Sequence, residues 1–158
     1  MLGTPGSIAG TVYGTIVVMG AITAGSEAAQ GTWRLAAIVD STVLVLWIAH
    51  VYSHGLGEAI ERERRLDRAE LVSVMHRELA IALAAVAPTG ALVLGALGMV
   101  EESTAVWLAL GIGLATLAAQ GARYAALEGL GRMSAATSVG LNVALGVVIV
   151  ALKAFIAH

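Results

Sequence analysis

Five apolar runs, each close to the length of a membrane-crossing helix, divide this chain and confine nearly all its charge to the short segments between them. They extend over Ile8 to Gly25, Trp33 to Ser53, Leu79 to Val100, Thr104 to Ala122 and Ala136 to Phe155. A bilayer's hydrocarbon core needs about 20 apolar residues in helical form. It also requires every backbone polar group to be satisfied within the segment, which selects helices. Composition agrees: 58% of the 158 residues are hydrophobic and 13% charged, with a mean hydropathy of +0.86. A soluble domain normally carries about 25% charged residues. The expectation is an all-α polytopic membrane protein of about five transmembrane helices, forming one domain over residues 1–158.

Arginine placement orients the chain. Arg62, Arg64, Arg65, Arg68 and Arg77 lie between the second and third runs, and Arg123 and Arg132 flank the connection between the fourth and fifth. By the positive-inside rule these connections are cytoplasmic, placing the N-terminus inside and the C-terminus outside an inner cell membrane. Glu27, Arg34, Glu101 and Glu102 then face outward, and Lys153 opposes the assignment weakly. No Lys or Arg precedes the apolar part of the first run, so it reads as a retained helix rather than a secretory signal. The absence of cysteine removes disulfides and thiolate chemistry. Acidic residues alternate with the arginines of the basic connection, which argues against nucleic acid as a partner.

Residues 58–78 contain neither Pro nor Gly and are rich in helix formers. They read as a charged cytoplasmic connector in which the second helix continues beyond the membrane, laced by pairs such as Glu61 with Arg65. Small residues at close-packing spacing, Gly10 with Gly14, Gly111 with Ala115 and Gly140 with Ala144, point to tight helix contacts and to a dimer face. Pro88 is placed to kink the third helix.

Ionisable groups at membrane depth face a bundle interior, a partner or a water-filled path, and the second run carries several of them. At about 100° per residue, Asp40, Trp47, His54 and Glu58 fall within roughly 40° of one direction, with His50 and Glu61 at the flank. His50, His54 and Glu58 stand at i, i+4 and i+8, a mixed imidazole and carboxylate set suited to Fe(II), Mn(II) or Zn(II). The competing expectation is that the histidines hydrogen-bond within the bundle and Glu58 sits among arginines. Asp40 lies about 27 Å along the axis from Glu58, so it is a separate station, a proton carrier or a partner of Arg34 or another helix. Gln120 and Tyr124 on the fourth run extend the candidate ion or proton path, and Asn142 offers an interhelical hydrogen bond. No nucleophile elbow, zinc-protease helix or phosphate loop is present, so the chain is not read as an enzyme and needs no resident cofactor.

The segment Ser53-His54-Gly55-Leu56-Gly57-Glu58 resembles the vacuolar iron transporter family, whose second helix typically ends Ser-Met-x-x-Gly-Glu. Ser53, Gly57 and Glu58 match, and His54 takes the methionine position. Gly10-Thr11-Val12-Tyr13-Gly14 resembles that family's Gly-x-x-Asp-Gly, with Tyr13 replacing the aspartate of the ion path. The resemblance implies a dimeric five-helix exporter of cytosolic Fe(II) or Mn(II) exchanging protons, although the connector is too short for the family's cytosolic metal-binding domain. The expected function is divalent metal transport, with His54, Glu58 and Glu61 receiving the ion and His50 relaying it. The alternatives are a membrane scaffold or accessory subunit of a larger complex, and a proton or monovalent-ion channel.

Overall fold

The computed structural model describes residues 5–156, and all regular structure among them is helical. Its six helices are α1 (Pro5–Ala28), α2 (Thr32–Glu61), α3 (Arg68–Leu83), α4 (Val86–Ala96), α5 (Glu102–Leu127) and α6 (Arg132–Ile156). Four of them, α1, α2, α5 and α6, are long and apolar enough to cross a membrane, and α3 with α4, bent by 44° at their junction, meets the same measure when the two are taken together. The all-helical fold and the number of apolar spans agree with the hydropathy pattern. The side chain of Lys153 lies outside the described residues.

The bend in the third span has a local cause. Pro88 sits in the first turn of α4, where its missing N–H costs little, but its ring excludes the carbonyl of Ala84 four residues earlier. The helix therefore breaks at 84–85, between Leu83 and Val86.

The charged connector is divided where unbroken helix was expected. α2 outlasts its apolar run and stops at Glu61, where Glu63 takes a left-handed φ of 52° and Arg64 N–H closes on the carbonyl of Ala59 at 3.2 Å. That is the Schellman arrangement, formed here without glycine. α3 then starts on a capping box: the Asp67 carboxylate accepts from Glu70 N–H at 2.8 Å, and the Glu70 carboxylate accepts from Asp67 N–H at 2.9 Å. Residues 68–78 thus belong to α3 rather than to a continuation of α2. Arg65 consequently has no helical i,i+4 partner in Glu61.

α1 is the hub, packed against α2, α3, α5 and α6. Its Val18, Met19 and Ile22 are fully buried among Val39 of α2, Leu92 of α4, and Leu110 and Leu117 of α5. For helices as apolar as these, close backbone approach is the expected basis of association wherever lipid surrounds them. A Cβ on Gly14 would stand 2.6 Å from the carbonyl oxygen of Ile81, so the Gly10/Gly14 pair is spent on contact with α3. The faces at Gly111 and Gly140 stay open.

Candidate functional site

The second helix turns its polar stripe toward the α3–α4 span. Near one end of α2, Asp40 Oδ1 accepts a hydrogen bond from Thr89 Oγ1 of α4 at 2.7 Å. Near the other, His54 Nδ1 meets Glu78 Oε1 of α3 at 2.6 Å, and Glu58 receives Arg77 of α3 and, at 3.3 Å, Arg62. Those contacts pair position 40 with 89 and 54 with 78, so the midpoint Trp47 falls opposite the 84–85 break. Its indole Nε1 is buried without a hydrogen-bond partner.

Hydrogen bonding fixes the histidine tautomers. A backbone carbonyl only accepts, so His50 Nδ1, 3.1 Å from Leu46 O, carries its proton and donates it. Against the Glu78 carboxylate, His54 Nδ1 likewise donates. With Nδ1 as the donor, the neutral form of each ring carries its lone pair on Nε2. Their centroids are 5.9 Å apart, and Tyr13 of α1 stacks on His50 at 4.8 Å, tilted by 48°.

His54, Glu58 and Glu61 border one hollow of about 250 Å³ with Ser53, Gly57 and Arg77. Among the described residues, no three His, Asp or Glu side chains converge closely enough to hold an ion. The hollow assembles the expected donors, but Arg77 and Arg62 occupy Glu58. Beyond it, Arg62 and Arg64 both reach Glu70 at 2.6 Å. Arg64's hydrogen bond, reinforced by Asp67 N–H, holds the Glu70 carboxyl down at about 2. The same contact raises the Arg64 guanidinium.

The remaining expected path residues lie elsewhere. α5 packs on α1, α4 and α6 and scarcely meets α2, so Gln120 and Tyr124 do not join the stripe. Gln120 is buried with its Oε1 unpartnered, whereas Tyr124 is exposed. Asn142 donates within its own helix to Ser138 O at 3.3 Å, while Ser138 Oγ donates across to Gly121 O of α5, also at 3.3 Å.

Thr89, Arg77 and Glu78 were not among the expected site residues. The available signal was depth: Arg77 and Glu78 immediately precede the third apolar run, as His54 and Glu58 immediately follow the second. Antiparallel neighbours joined by a short turn bring such flanks to one level.

No family model matches this chain, and no curated protein or solved structure is significantly similar to it.

Proposed function

We propose that this protein carries a divalent metal ion across a membrane along the seam between α2 and the α3–α4 span, loading it from the cytoplasm at His54. The supporting observation is the hydrogen bond from His54 Nδ1 to Glu78 at 2.6 Å. A carboxylate behind the imidazole fixes the tautomer, raises ligand basicity and presents Nε2 as a donor, the arrangement found behind metal-binding histidines. His54 lines the hollow that Glu58 and Glu61 also border. The arriving ion competes with Arg77 for Glu58 and completes its donor set by displacing that guanidinium. His50, with its own Nε2 free, is the next donor inward, and Asp40 with Thr89 forms a distant second station.

Isothermal titration of the purified protein with Mn(II), Fe(II) and Zn(II) tests the loading site. Glu78→Gln weakens binding about 10- to 100-fold, His54→Ala combined with Glu58→Ala abolishes it, and Arg77→Gln strengthens it by releasing Glu58. Absence of binding to the wild type, or equal binding in all variants, contradicts the assignment.

One observation favours proton conduction instead: Tyr13, His50 and His54 lie in successive ring contacts and His54 is hydrogen-bonded to Glu78, a row of titratable groups along α1, α2 and α3. On that reading, proton flux survives removal of divalent ions and falls in His50→Phe.

A further inference from the structure

The end of α2 has a second, apolar side. A cleft of about 250 Å³ runs between α2 and the start of α3, walled by Val51, Leu56, Leu66 and Leu71, with Tyr52 and Arg65 also on its lining. Its depth follows from the crossing of α2, on which this inference rests. Trp33 and Tyr52, both strongly exposed, are about 28 Å apart along the helix axis at ~1.5 Å per residue. That separation matches the hydrocarbon core, whose borders such aromatics mark. The cleft therefore opens at the level of the lipid headgroups.

Its charge is unusual for the neighbourhood. Arg62, Arg64 and Arg77 are each held by Glu58 or Glu70, and the Asp67 carboxylate is spent on capping α3. Among the described residues, neither Arg65 nor Arg68 has a carboxylate in ion-pair contact. Glu61 borders the polar hollow on the other side of α2. Arg65 thus brings to an apolar cleft at headgroup depth a guanidinium that no carboxylate contacts, Glu63 two residues earlier included. Guanidinium binds phosphate in a two-pronged geometry, and the leucine walls fit hydrocarbon. We propose that this cleft is a binding site for an anionic phospholipid, with an acyl segment between Leu56, Leu66 and Leu71 and the headgroup phosphate on Arg65.

Gly55 offers a way to block the cleft without altering charge. A Cβ there would stand 3.8 Å from Leu66 Cδ1 and 3.9 Å from Leu71 Cδ1, so a larger side chain enters the cleft. Native mass spectrometry of the full chain, with phosphatidylglycerol and phosphatidylcholine of equal acyl length, reads the retained lipid. The wild type retains phosphatidylglycerol preferentially, and Arg65→Gln lowers that preference about fivefold, the increment of one interfacial arginine. Gly55→Leu lowers retention with all arginines intact, and Arg34→Gln at the opposite membrane face leaves it unchanged. Equal retention of the two lipids, or an Arg65→Gln protein that behaves as wild type, overturns the site. Equal binding of glycerol phosphate lacking acyl chains does so as well, because it reduces the cleft to an anion contact.

Discussion

Asp40, His54 and Glu58 share a direction on α2 because their spacing repeats with the helical period, and all three meet partners on one neighbouring span. The direction was legible in the sequence; the partners were not. Thr89, Glu78 and Arg77 lie 49, 24 and 19 residues away, and only packing decides which side chains at one depth touch. His54 shows the consequence, since the orientation of its ring depends on Glu78 behind it. The glycines divide in the same way. Gly14 and Gly20 look alike in the sequence, yet a Cβ on Gly14 strikes the backbone of Ile81, whereas one on Gly20 meets nothing within 4 Å. Gly14→Ala accordingly lowers stability by about 1–3 kcal/mol, the usual range for overpacking. Gly20→Ala is close to neutral, and thermal unfolding in detergent distinguishes the two.

At the scale of elements, four of the five apolar runs form single helices long enough to cross a membrane, and the third is divided between α3 and α4. Pro88 broke the third where its ring requires. The charged connector was misread because its stop is made without the usual punctuation. Glu63 adopts the left-handed position that glycine normally fills, and the start of α3 is written only in the Asp67-x-x-Glu70 spacing. That cap carries a pH signature. Glu70 is held at about 2, below its ordinary 4.5, first by Arg64 and then by Asp67 N–H. A carboxyl depressed on folding stabilises the native state fully above its unfolded pKa, and the contribution fades as pH falls from 4.5 toward 2. Carbon NMR of the Glu70 carboxyl should show a midpoint near 2 that rises toward 4.5 in Arg64→Gln; an unmoved midpoint would remove Arg64 as the cause.

For the molecule as a whole, α1 forms the hub and α2 packs to one side of it, closed by the bent α3–α4 span. α5 and α6 complete the bundle away from the stripe, which explains why Gln120 and Tyr124 fall outside it. What emerges is one seam with a polar hollow at His54, an unpartnered indole at the helix break and a carboxylate at Asp40. Breaks of this kind in spanning helices are where transporters place their binding stations. The most direct measurement of the account is Mn(II) uptake into proteoliposomes containing the purified chain, with His54→Ala, Glu78→Gln and Asp40→Asn reconstituted to equal density. The account predicts saturable uptake by the wild type, reduced about tenfold or more by each substitution along the seam. Wild-type vesicles no more permeable to Mn(II) than empty ones, or uptake indifferent to all three substitutions, would contradict it.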